Sequence, residues 1–525
     1  MFTKSAESNP NAYKNVASHS KAPGQATEGL ALITTRRSLL SAAPLALGLA
    51  AKSSAVSAPA AYGVLPTEPQ VQWSEMEFYN FLHFTVNTFT DKEWGYGDED
   101  PAIFNPTAFD ADAIVETLKA AGSRGVILTC KHHDGFCLWP TRTTDHSIRN
   151  SPYKHGKGDI VREVSEAAQR HRLKFGVYLS PWDRNQPTYG TPRYIDIYRK
   201  QMRELLTGYG PIFEIWHDGA NGGDGYYGGA REKRIIDKLH YYDWPNTWRM
   251  EHELQPGAVR FSDVGPDVRW VGNEKGIAGE TCWATYTPRS PEGGPGSPGD
   301  VVAEESTAGT RNGKHWMPAE CDVSIRPGWF WHSNENEKVK TAQELLALYY
   351  QSVGRGASFL LNVPPDRRGL IHEADGESLR AFGKLVASTF SHNLAFRAKC
   401  GASNIRGNDP AFSAHNLLDG NKNTYWSTDD SMTTPQVTFD LPGSVRFDIV
   451  RLREHIRLGQ RISAFAVDAW VNQEWSELAR GTSVGSCRIV RLPSIVTTTR
   501  VRLRVTESPV CPALSEFGFF AENSA

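Results

Sequence analysis

The chain has no excess charge of either sign: 57 basic residues stand against 59 acidic ones, a formal net charge of −2. That balance excludes a polycationic surface for nucleic acid and an acidic tail. Apolar runs are short. The longest, residues 39–51, falls well below the roughly 20 residues that cross a bilayer. Cysteines are few and odd in number, seven in 525 residues, and Cys130, Cys137, Cys282 and Cys321 have no metal-ligand spacing. They read as buried free thiols. Cys400 and Cys511 bracket the end of the chain and are candidates for a bridge, with Cys487 left over. A glycine-rich phosphate turn is also missing after the first strand-like segment, residues 78–86, which argues against a nucleotide-binding open sheet.

The N-terminal residues have a separate purpose. Arg36 and Arg37 precede the apolar run, and Val56-Ser57-Ala58 supplies a small-residue exit. Residues 1–58 therefore read as a twin-arginine export signal cut near Ala58, with a periplasmic or secreted mature chain and no membrane span after cleavage. An uncleaved anchor is the alternative.

From about residue 66 to 388, apolar strands alternate with amphipathic helices at about 40-residue spacing, the pattern of a parallel sheet. Polar residues cluster at the C-terminal ends of the strands: His83, His132, His133, Tyr178, Asp218 and Glu274. A (β/α)8 barrel over residues 59–392 builds a site in this way. The later helices are hard to place, so a distorted barrel is within the expectation. Residues 287–316, rich in proline and glycine, form either a loop over the entrance or a surface excursion. Residues 393–525 alternate apolar and polar positions at period two and read as a β-sandwich.

In KHHDGF, adjacent histidines on an extended strand would point to opposite faces and could share a metal only at a bend. No further ligand set accompanies them, so neither metal nor cofactor is expected, and neutral imidazoles at a strand end suit sugar hydroxyls instead. Asp218 follows a buried strand and precedes Gly219, which places a carboxylate at the barrel mouth. A second carboxylate is needed for glycoside cleavage with retention. Glu274 is the first candidate and Glu280 the second, while Asp134 and Asp183 read as binding or structural residues.

Together NFLHFTVNTFTDKEWG, TCKHHDGFCLWP, GVYLSPWDRN, EIWHDGAN, VGNEKGIAGETCW and RPGWFWH resemble the glycoside hydrolase family 29 α-L-fucosidases, in particular the branch acting on α-1,3/4-linked fucose. The resemblance implies an exo-acting retaining enzyme for fucosylated oligosaccharides or glycoproteins, with Asp218 as nucleophile and Glu274 as acid/base. It implies a fucose pocket of His83, His132, His133, Glu93, Trp94 and Tyr178. Trp329 packs on the C6 methyl in this picture, with Trp331 an equal candidate. His217 departs from the hydrophobic residue expected there. The tail, through NLLDGNKNTYWST, is similar to discoidin-like, coagulation factor 5/8 type C domains of the galactose-binding-like class, in which Trp426 would be core. A sugar-binding protein without turnover and a galactosidase of the same fold are the competing readings.

Overall fold

The computed structural model describes residues 56–522. The export signal read over residues 1–58 lies almost wholly outside them. Among the described residues no helix is long and apolar enough to cross a membrane.

Eight parallel strands close into a barrel in sequence order: β1 (Phe78–Leu82), β2 (Gly125–Lys131), β3 (Lys174–Leu179), β4 (Ile212–Trp216), β5 (Val259–Ser262), β6 (Val268–Trp270), β7 (Ala319–Ser324) and β8 (Ser358–Asn362). Most are buried on both faces, so they read as continuous apolar runs. Alternation still decides which way each side chain faces. On β1, Tyr79 and Phe81 join the packed interior with Ile127, Tyr178 and Phe261, whereas Phe78 and Leu82 pack against the surrounding helices.

The connecting helices begin where side chains can cap them. Asp110 accepts the amide of Ala113 at the start of α1 (Ala111–Ala120), and Asp159 accepts that of Arg162 before α2 (Ile160–His171). β3 leads through α3 (Pro192–Gly208) into β4, and α4 (Trp244–Leu254) leads to β5. Residues 235–243 before α4 hold no helix, and the helix begins at Trp244.

The second half departs from the regular scheme at one joint. Only residues 263–267 separate β5 from β6, too few for a crossover helix. None is needed, because Phe261 pairs with Val268 and Ser262 with Arg269. β6 starts at the level where β5 ends, and its last two residues pair with the first two of β7, Ala319 and Glu320.

The C-terminal region is antiparallel, with β9 (Lys399–Ala402), β10 (Trp426–Ser427), β11 (Gln436–Glu454), β12 (Ala464–Val471), β13 (Glu474–Gly481), β14 (Arg488–Glu507) and β15 (Ala513–Phe520). Register shifts interrupt the long β11–β14 pairing, and one apolar cluster including Trp426, Phe439, Phe447 and Phe517 is enclosed. Trp426 is fully buried, with its indole N–H on the carbonyl of Asn404. The proposed Cys400–Cys511 bridge is not formed: all seven cysteines are free. Cys400 sits on β9 opposite Phe439, while the Cys511 thiol faces Asp430 and Arg461 before β15.

Candidate active site

A cavity of about 250 Å³ opens at the C-terminal end of the barrel. Its walls include Asp218, Glu274, the three histidines and Trp329.

Asp218 lies just past β4. Its Oδ1 accepts the amide of Ala220 at 2.6 Å, and its Oδ2 accepts the phenol of Tyr178 at 3.0 Å. Burial pushes its carboxyl up, and those two hydrogen bonds hold it down. Tyr178 is fully buried behind the wall, where its hydroxyl bonds Asp218 and its ring packs on His132, His83 and Trp216. His217 faces the opposite way, out of the barrel, between Tyr198 at 2.7 Å on α3 and Glu251 at 3.2 Å on α4. The unexpected histidine is thus packing behind the wall.

His132 and His133 share the cavity with ring centroids 4.1 Å apart. Strand alternation does not separate them because β2 ends at Lys131 after a register shift, and the chain turns there. Their neighbours set the protons. Ser180 donates to the carbonyl of Trp182, so its oxygen accepts from His133 Nδ1 at 2.7 Å. The amide oxygen of Asn362 likewise accepts from His83 Nδ1 at 2.9 Å. Both rings therefore present a bare Nε2 as an acceptor. Burial lowers both pKa values to about 3 and holds that of His132 well below the usual imidazole range, so all three are neutral at physiological pH.

Glu274 lies four residues past β6 and lines the cavity. Its side chain is exposed, and Oε2 accepts the indole N–H of Trp329 at 3.3 Å. Partial burial raises its pKa, with Asp218 and Glu93 adding repulsion and the Trp329 bond opposing. Glu280, the competing candidate, is away from the cavity wall and is held by Arg355 and Arg488.

Trp94 and Trp329 are both on the wall, and Trp94 is 52% exposed, edge-on to His133. Trp331 is elsewhere, near His372 and Arg367. The structure places Glu93 beside the wall, where its carboxylate accepts the amides of Trp329 at 2.8 Å and Phe330 at 3.2 Å and meets His332. It aims the tryptophan loop. Asp134 and Asp183 are also off the wall, bonded to Thr85 and Lys131 respectively.

Two cavity carboxyls escaped the sequence reading. Asp263, just after β5, accepts the amide of Gly299, and burial pushes its pKa to about 7. Asp322 on β7 accepts the Trp270 indole at 2.9 Å and is driven well above the usual range by burial and by Glu274. Asp263, at the end of AVRFSD, had a strand-end position as its signal, whereas Asp322 lies inside AECDVS with none. No arginine or lysine stands among the described residues of the wall. Such a site suits a neutral ligand that develops positive charge in reaction.

The proline- and glycine-rich loop is part of this wall. Gly299 lines the cavity, Asn221 donates to the carbonyl of Pro298, and Lys238 donates to that of Gly299. Gly299 has φ +78°, and a Cβ there would sit 2.1 Å from the carbonyl oxygen of Gly219. Gly299→Ala should destabilise this contact by about 2 kcal/mol. A lowered midpoint in thermal denaturation checks it.

Comparison with known proteins places these features. The model of the family described as Alpha-L-fucosidase matches residues 54–389, and that of the F5/8 type C domain matches residues 399–517. Alpha-L-fucosidase 1 of Arabidopsis thaliana is 43% identical over 463 residues, covering 87% of this chain and 88% of its own. A putative alpha-L-fucosidase structure from Bacteroides thetaiotaomicron superposes with TM-score 0.80 at 38% identity, covering 89% of this chain and 99% of its own. A Ruminococcus gnavus glycoside hydrolase 29 fucosidase solved in complex with fucose gives TM-score 0.79 at 32% identity, covering 89% and 97%.

Proposed function

The chain belongs to the alpha-L-fucosidase family, glycoside hydrolase family 29, and from that premise we propose that it removes single terminal fucose residues by double displacement with retention, preferring α-1,3/4 linkages. The observation that carries the reading is the pair Asp218 and Glu274 on one small cavity with three neutral imidazoles. At about 250 Å³ the space is below the ~300–1,000 Å³ of drug-sized ligands and suits one sugar ring, hence exo action.

In the first step Asp218 attacks the anomeric carbon as the bond to the glycosidic oxygen breaks, and Glu274 gives that oxygen its proton. In the second, Glu274 takes a proton from water, which displaces Asp218 and releases fucose. His83 and His133 accept hydroxyl protons at Nε2 and so orient the ring. Trp329 supplies an apolar surface for the C6 methyl, where the C6 hydroxyl of galactose would lose its hydrogen bonds. Having both carboxylates in place favours turnover over mere sugar binding.

The α-1,3/4 preference is supported by the EWG, HDGAN and VGNEKG sequences. A panel comparing a Lewis-type trisaccharide with an α-1,2-fucosylated one tests it: equal kcat/KM on both would overturn the preference. Turnover of the matching galactoside but not the fucoside would overturn the sugar assignment. Export is proposed from Arg36, Arg37 and the apolar run alone, and activity confined to the cytoplasmic fraction would refute it.

Tyr178→Phe removes a hydrogen bond that favours the Asp218 carboxylate. The nucleophile's pKa should rise, so the acid limb of the kcat/KM profile should move to higher pH, by about one unit. A limb that stays put shows that another group sets it.

A further inference from the structure

The segment that carries Glu274 begins in the barrel and ends on the sandwich. At its near end, Thr307 Oγ1 donates to the carbonyl of Val271 at 2.8 Å. Glu274 itself sits on a short turn closed by Asn273, whose side chain accepts the amide of Lys275 at 3.1 Å and donates to the carbonyl of Ile277 at 2.9 Å. At the far end the sandwich takes hold. Arg488, its side chain 3% exposed, donates to the backbone carbonyl of Glu280 and pairs with its carboxylate. Thr482 and Thr281 share a hydroxyl hydrogen bond at 2.8 Å, Ser483 Oγ accepts the amide of Cys282 at 3.1 Å, and Gln460 Oε1 accepts that of Ala284 at 2.8 Å. From the barrel side, Arg355 reaches the same Glu280 carboxylate at 2.9 Å and the carbonyl of Ala278 at 2.6 Å.

Among the described residues the Glu274 carboxylate has one hydrogen-bond partner, the Trp329 indole at 3.3 Å, and its side chain is otherwise exposed. Its place is therefore set by the backbone of its turn, and that turn is only as firm as its two ends. Asp218 differs, because its turn is braced within the barrel by Ala220 and the Gly299 loop. We propose that the C-terminal sandwich is a positioning domain for the acid/base step, with the Arg488–Glu280 pair at its centre. The proposal rests on Glu274 being the acid/base. Arg488 acts through the backbone and touches no substrate, so its loss should blunt proton delivery while sparing nucleophilic attack.

The full-length protein tests this with two substrates, a nitrophenyl fucoside that leaves without a proton and a fucosyl disaccharide that needs one. Arg488→Ala should lower kcat/KM on the disaccharide about tenfold and on the aryl fucoside by less than about twofold. Inhibition by free fucose should not change, and Arg488→Lys should recover part of the loss. Equal losses on both substrates, or none on either, overturn the proposal. Should Arg488→Ala fail to fold, Glu280→Gln and Thr482→Val each remove fewer contacts and must show the same selectivity to a smaller degree. If they show none, the proposal falls. Glu274→Gln is the control: without substrate selectivity in that variant the acid/base assignment fails and takes the proposal with it. Selectivity there but in no sandwich variant overturns the positioning role alone.

Discussion

Asp218→Ala is expected to lower kcat by about 10⁴-fold or more on every fucoside, with fucose affinity kept within a few fold. No neighbour can replace the lost carboxylate. Asp263 is engaged by the Gly299 amide, and Asp322 accepts from Trp270 on the Glu274 side of the cavity. Fucose binding should survive because the three imidazoles and Trp329 are held by other residues, and titration of tryptophan fluorescence measures it directly. Azide added to this variant can enter the space the carboxylate vacated, attack from that face and yield the inverted β-fucosyl azide. The unmodified enzyme should release α-fucose first, read by proton NMR before mutarotation. Initial release of β-fucose, or a variant within tenfold of normal activity, would remove Asp218 from the nucleophile's role.

Glu274→Ala carries the second large effect, a loss of about 10² to 10⁴-fold on oligosaccharides and much less on nitrophenyl fucoside, whose leaving group needs no proton. Here azide should give the opposite anomer, α-fucosyl azide, because it attacks the fucosyl-enzyme from the face that water uses. The pH dependence has a definite sign. Burial and the nearby Asp218 raise the Glu274 pKa, so the acid form that protonates the leaving oxygen is present below that value and is lost as pH rises through it. On the proposed assignment the alkaline limb of kcat/KM is set by Glu274 and should vanish in the variant. If the limb persists and both substrate classes suffer equally, the proton comes from another group, and Asp322, which lines the same cavity, is the next to test.

The chemistry-bearing residues were legible where a motif joins a local periodicity to a reactive side chain. Asp218 stands at the end of a doubly buried run and before a glycine, and KHHDGF stands at the end of another. Where chain geometry broke the period, the reading failed or stayed open. The histidine pair shares one cavity because β2 has already ended at Lys131. β5 and β6 need no helix because they are offset in register, which no alternation of apolar residues reveals. Asp263 just after β5 and Asp322 within β7 carry no motif, and only barrel closure brings them into one cavity.

Candidates close in sequence also separate in three dimensions. Trp329 and Trp331 are two residues apart, and only the first is on the wall; Glu274 and Glu280 share one segment, and only the first faces Asp218's cavity. Cys400 and Cys511 bracket the sandwich without meeting. From sequence alone came the barrel, the sandwich and the residue types a fucosidase requires, because burial pattern and local turn chemistry are encoded within a few residues of each position. Tertiary structure alone decided which carboxylates share one cavity, which imidazole nitrogens are bare and what grips the Glu274 segment. Those depend on contacts between residues far apart in the chain, whose distances no local pattern contains.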